Sequence, residues 1–181
     1  MATHLVVLSG PSGVGKSSVI QAALKEMPQT WLSVSATTRQ PRPGEVDGVN
    51  YFYVTNEAFD QLISEDNLLE WAEFAGNRYG TPRKPVEDKL AQDVPVLLEI
   101  ELQGARQVRK SMPDAVLVFL TPPSWSDLES RLAGRGTETP EEVAIRLATA
   151  QHELDSAGFF DYSITNDDVA QAATELVSFL K

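Results

Sequence analysis

The chain has 181 residues, enough for one compact α/β domain with small appended lobes. Its 26 acidic residues outnumber 15 basic ones, a formal net charge of −11, and it contains no cysteine; disulfides and cysteine zinc sites are excluded, and neither nucleic acid nor an anionic membrane is an expected partner. It is 42% apolar, no run approaches the ~18 residues of a membrane span, and the opening MATHLVVLSG has no basic leader, so an ordered cytoplasmic protein is expected.

The elements alternate strand and helix, which predicts a parallel sheet flanked by helices. His4 to Ser9 (HLVVLS) reads as a buried strand, and Ser17 to Met27 has helical spacing through Val19, Ile20, Ala23, Leu24 and Met27. Trp31 to Ser35 reads as a second strand. Residues 36 to 84 then break the rhythm: TTRQPRPGEVDG, the alternating NYFYV, a helix-like NEAFDQLI and LLEWAEFAGNRYG suggest a small mixed lobe with antiparallel hairpins. The alternation resumes with strands at Pro95 to Leu102 and Ala115 to Leu120, each followed by a helical pattern. Ser124 with Asp127 resembles a capping box, and Thr139, Pro140 and Glu142 make a stronger one, opening a helix to about Ser156. Tyr162 to Thr165 reads as a last strand and Asp168 to Leu180 as a closing amphipathic helix. His4 and His152 have no ligand spacing or nucleophile partner and read as structural.

One segment carries phosphate chemistry by itself. Gly10-Pro11-Ser12-Gly13-Val14-Gly15-Lys16-Ser17 matches G-x-x-x-x-G-K-[ST], with an apolar strand before it and a helix after it. Glycines let the backbone curl so that successive amides point at phosphate oxygens, and the helix adds its positive end. Lys16 is placed to reach the β- and γ-phosphates of ATP, and Ser17 offers a hydroxyl to Mg²⁺. The spacing is not the G-x-G-x-x-G of a dinucleotide fold. On so acidic a chain, an anionic ligand must be met by local cations. Arg39 and Arg42 share one short loop, and Arg131, Arg135 and Arg146 share another segment.

Beyond this loop the sequence resembles guanylate kinase, a P-loop nucleoside monophosphate kinase. The matching segments are GPSGVGKSS, SVSATTRQPRPGEVDGVNYFYV, LLEWAEFAGNRYGTP, LLEIELQGARQVR, RLAGRGTET and ITNDD, in the family's order over nearly the whole chain. The resemblance implies Mg-dependent transfer of the ATP γ-phosphoryl group to GMP on one domain. Its parts would be a P-loop NTPase-type core (1–35, 85–125, 149–181), an inserted GMP-binding lobe (36–84) and a small helical lid (126–148).

It also implies roles. Arg39 and Arg42 match the arginines that hold the GMP phosphate, a task suited to a permanently charged bidentate fork. Tyr51 and Tyr79 match tyrosines that donate to the same phosphate. Glu70 matches the guanine reader: its acceptor-only carboxylate suits the adjacent ring N–H and exocyclic amine of guanine and opposes the ring acceptor of adenine. Ser35 and Thr81 match hydroxyl residues that complete base recognition. Arg131, Arg135 and Arg146 match the clamp on the transferring phosphates, and Asn166 the loop beside adenine. Glu99 and Glu101 depart from the family's usual Asp-x-Asp; alternation puts both on one face of the strand. Glu99 is expected near Mg²⁺ through water and Glu101 near GMP, each carboxylate displaced by about 1.5 Å by its extra methylene. Hinges are expected near Ser35, around Arg83, and at Gly134 and Gly136.

Two other classes remain open to the same residues. Guanylate-kinase-like scaffold domains bind peptides without catalysis, but typically with a degraded phosphate loop, whereas Lys16 and Ser17 are present here. A related kinase of a phosphorylated sugar would have no use for Ser35, Glu70 and Thr81.

Overall fold

A computed structural model describes residues 4–133 and 139–181. Arg135, Gly134 and Gly136 lie outside the described residues.

The central sheet is wholly parallel, in the order β2 (Trp31–Leu32), β7 (Val96–Glu99), β1 (Leu5–Ser9), β8 (Val116–Thr121), β9 (Tyr162–Thr165). Buried strands alternate their side chains between two helical layers, as a period of two requires. Val6, Leu8, Leu97, Val118 and Leu120 face α1 (Lys16–Glu26) and α7 (Val169–Leu180). Leu5, Val7, Val96, Leu98, Leu117 and Phe119 face the other way, onto α3 (Arg83–Leu90) and α4 (Leu102–Ser111).

A second, four-stranded sheet has the order β4 (Phe52–Tyr53), β3 (Ala36–Thr37), β6 (Asn77–Pro82), β5 (Leu68–Phe74). β5 and β6 form the expected antiparallel hairpin, while β3 and β4 pair in parallel. Helix α2 (Asn56–Ser64) covers this sheet. Phe59 and Leu68 are buried between them, with Phe52, Leu62 and Trp71 around them. The Thr55 side chain caps α2 by accepting from the Ala58 amide.

Beyond β8, α5 (Trp125–Ala133) and α6 (Pro140–Asp155) share a small core of Leu128, Leu132 and Ala150. The Thr139–Glu142 capping box closes in both directions, and Asp168 caps α7 by accepting from Gln171. At Ser124 the Asp127 amide donates to the serine oxygen, 3.1 Å.

Several expectations need correction. The second strand stops at Leu32: the Ser33 amide still reaches the Leu97 carbonyl, but residues 33–35 then leave β7 for the second sheet, where the Ser35 carbonyl accepts from Phe52. The strand expected to run to Leu102 ends at Glu99. The Ile100 amide still reaches the Leu8 carbonyl, but β1 ends at Ser9 and leaves no further rung, and Leu102 opens α4 with Glu101 as its N-cap. Glu101 is therefore a helix-cap residue rather than a strand residue. Helix α3 was not anticipated: only Val86 of its eight residues is buried, so it has almost no apolar period.

Candidate functional site

The loop after β1 carries the chain into α1 with Gly15 as N-cap at φ 97°, left-handed backbone that favours glycine. No side chain caps this end, so its first amides are available to an anion. The Lys16 ammonium curls back and donates to the Gly10 carbonyl at 2.5 Å and the Pro11 carbonyl at 3.3 Å. Burial pushes its pKa down, against the opposing pull of Glu99, Glu153 and Glu101. Ser17 is exposed in the first turn of the helix.

Distant segments brace this loop. Asn166, just beyond β9, donates its Nδ2 to the Val14 carbonyl at 2.8 Å, and the Arg131 Nη1 of α5 donates to the same oxygen at 3.2 Å. Arg146 of α6 donates to the Ser12 hydroxyl at 2.8 Å. Arg131 and Arg146 thus reach the loop from two helices, and Asn166 contacts its main chain from inside the fold, 3% exposed. Sequence reasoning missed Glu153. It lies seven residues after Arg146 on α6, and its carboxyl is pushed up by burial and pulled down by Lys16.

Beside the loop lies a cleft of about 330 Å³. Ser35, Tyr51, Glu70, Tyr79, Glu99 and Glu101 line it, drawn from β5, β6 and β7, from the residues just before β3 and β4, and from the N-cap of α4. Although Glu101 has left the strand, its extended backbone still turns it to this cleft with Glu99. Glu99 keeps accessible surface, so water and the Lys16 ammonium soften the upward push that desolvation gives its carboxyl. Both glutamates also act electrostatically on Lys16 in the phosphate loop.

Glu70, on β5, is 7% exposed, and its Oε1 accepts from the Thr81 hydroxyl at 2.6 Å. Thr81 is wholly buried, so it stands behind Glu70 rather than on the cleft surface. Burial pushes the Glu70 carboxyl up; the Thr81 bond pulls it down, and the nearby Glu101 adds to the rise. A buried carboxylate with one oxygen anchored is a rigid acceptor for a pair of N–H donors.

Tyr51 and Tyr79 meet edge to face, 5.9 Å between centroids, and the Arg39 guanidinium lies 5.3 Å from the Tyr51 ring. Burial pushes the Tyr51 phenol up. Arg39 pairs with Glu45 at 2.9 Å, and Glu45 also accepts from the Arg42 amide and the Tyr53 hydroxyl. The Arg39 hydrogen bond, first among these, holds the Glu45 carboxyl down at about 2. The Arg42 side chain is exposed and does not line the cleft. Glu45 was not singled out from sequence, although it stands in the TTR-x-P-R-x-GE segment.

Among the described residues no three acidic, histidine or cysteine side chains cluster for a metal. That suits a dication that takes most of its ligands from water and phosphates, with one protein hydroxyl and an acid nearby, as Ser17 and Glu99 could provide.

Comparison with known proteins follows the same lines. The family model described as guanylate kinase matches residues 2–181. A guanylate kinase of Thermobifida fusca is 58% identical over 98% of this chain and 90% of its own length. One from Streptomyces coelicolor is 61% identical over 97% and 89%. The crystal structure of guanylate kinase from Anaplasma phagocytophilum superposes with a TM-score of 0.73 at 34% identity, covering 97% of this chain and 83% of that one.

Proposed function

The chain belongs to the guanylate kinase family, ATP:GMP phosphotransferases, and from that premise we propose how its own residues divide the reaction. The core (1–35, 85–125, 149–181) holds ATP, residues 36–84 hold GMP, and residues 126–148 close over both. The observation that carries this reading is that the two sites are near enough to feel each other: Glu99 and Glu101 line the cleft and also act electrostatically on Lys16. Both substrates are free nucleotides, and the cytoplasm is where the reaction would run. Among the described residues no helix is long and apolar enough to cross a membrane.

The amides of Gly10 to Ser17 hold the ATP phosphates. Lys16 exchanges its bonds to the Gly10 and Pro11 carbonyls for the β- and γ-phosphate oxygens. Ser17, and Glu99 through water, would hold Mg²⁺, which when bound neutralises charge on those oxygens. Asn166 fixes the loop main chain beside the adenine. Arg39, Arg42, Tyr51 and Tyr79 take the GMP phosphate; Ser35, Glu70 and Thr81 take guanine, Thr81 acting through Glu70; Glu101 flanks the base.

No general base is required. The second pKa of a phosphate monoester is about 6, so the GMP phosphate already offers a dianionic oxygen at pH 7. The protein aligns the two phosphates in line and offsets charge with Lys16, Arg131, Arg135 and Arg146. Closure then excludes water, which would otherwise consume ATP.

The test is an acceptor screen with purified protein, ATP and Mg²⁺ against GMP, dGMP, AMP and ribose bisphosphate. Guanine nucleotides are expected to react and AMP to be rejected by roughly 10⁴-fold, as befits a site built on paired hydrogen bonds. Glu70→Ala should damage GMP use while ATP binding stays intact. Turnover of ribose bisphosphate in preference to GMP would overturn the reading.

A further inference from the structure

Gly104 sits in the first turn of α4, inside regular helix, where alanine is ordinarily the better residue. Its φ is not positive, so the backbone does not call for glycine. Space does. A Cβ built on Gly104 would lie 2.6 Å from Glu70 Oε2, 3.1 Å from Glu70 Cδ and 3.3 Å from Ile100 Cδ1. The first of these is impossible without movement.

The surroundings decide what moves. Helix α4 is tied to β5 on both sides of Glu70. The Gln107 side chain exchanges hydrogen bonds with the Trp71 amide and carbonyl, at 3.1 and 2.8 Å, and Ser111 donates to the Leu69 carbonyl at 3.0 Å. The helix therefore cannot back away without breaking bonds to both chain neighbours of Glu70. The carboxylate is the softer element, yet its other oxygen is anchored by Thr81 at 2.6 Å. A methyl group on this helix position thus drives Oε2 off its place and strains the Thr81 bond.

We propose that Gly104 positions the carboxylate that reads the GMP base, its missing side chain being what lets α4 press Glu70 into the orientation that guanine meets. This rests on the reading of Glu70 as the guanine acceptor. Gly104 itself is a positioning residue: it acts through Glu70.

The experiment is a cycle of wild type, Gly104→Ala, Glu70→Asp and the double variant. KM and kcat are measured for GMP at saturating ATP, and KM for ATP at saturating GMP, with melting curves for each protein. Gly104→Ala is expected to stay folded, its gain in helix propensity set against the strain at Glu70, to raise the GMP KM about tenfold, and to leave the ATP KM within about twofold. Glu70→Asp retracts the carboxylate by about 1.5 Å. It should impair GMP use in the otherwise wild-type protein and improve it in the Gly104→Ala background. That reversal of sign is not produced by a general loosening of the fold, and it remains readable if the single alanine variant melts low. A GMP KM within about twofold of wild type in Gly104→Ala, or losses that simply multiply in the double variant, would overturn the proposal. Glu70→Ala separates the two levels. If it spares GMP use, the guanine reading and this inference fall together; if it destroys GMP use while Gly104→Ala does not, this inference falls alone.

Discussion

The phosphate loop and the cleft beside it are built by opposite means. The loop is main chain: amides at the start of α1, shaped by glycine conformations and braced from elsewhere through the Val14 carbonyl. The cleft is side chain: carboxylates and two tyrosines line it, and Arg39, already partnered by Glu45, lies against the Tyr51 ring. A main-chain cradle is fixed once the fold forms and cannot discriminate between nucleotides. A side-chain cleft discriminates, but each group must be held by another, as Thr81 holds Glu70 and Glu45 holds Arg39.

Substitutions can break or sharpen this contrast. The largest effect is expected at the loop's own cation: Lys16→Ala should lower turnover by about 10³-fold, comparable to the removal of a strong charge-stabilising donor. Melting should be little changed, since the ammonium is held only by two carbonyls. On the cleft side, Thr81→Val keeps the volume and removes the anchor of Glu70. GMP kcat/KM should fall about tenfold or more, the worth of a hydrogen bond to a charged group, with ATP binding unaltered. Equal losses for both nucleotides would erase the distinction drawn here.

Back at the loop, Gly15→Ala should act on stability and ATP affinity together. Left-handed backbone costs an L-residue roughly 1–2 kcal/mol, and the new Cβ would meet Asn166 Nδ2 at 2.6 Å. Denaturant melts with and without ATP read both. The smallest effect is Glu45→Gln, seen by acid titration. The folded carboxyl sits at about 2 against an ordinary 4.5. Its contribution is therefore full above about pH 4.5 and drains away as pH falls toward 2. The glutamine variant should be slightly less stable at neutral pH and should lose less across that acid window.

The two regions also differed in legibility. Gly10 to Ser17 could be read because the chemistry is contiguous and its context, a buried strand and then a helix, adjoins it. The inner strands were legible because they are buried on both faces. The second sheet was not: β3 and β4 are two residues each and exist only through pairing with segments far along the chain. Glu101 was read by alternation as a strand residue, because nothing local announces that β1 has run out of partners. It lines the cleft with Glu99 as the N-cap of α4, not through strand alternation. Glu45 and Gly104 owe their importance to neighbours that only the folded chain brings near, Arg39 and Tyr53 for one, Glu70 for the other.

The brace on Val14 has a consequence for how the molecule comes into being. The residue that locks the loop, Asn166, stands 152 positions downstream, and α7 beyond it supplies much of the layer against which α1 rests. The loop is thus made 152 residues before the side chain that braces it. A chain made only as far as α6 carries the whole motif without the Asn166 clasp and without the α7 layer beneath α1.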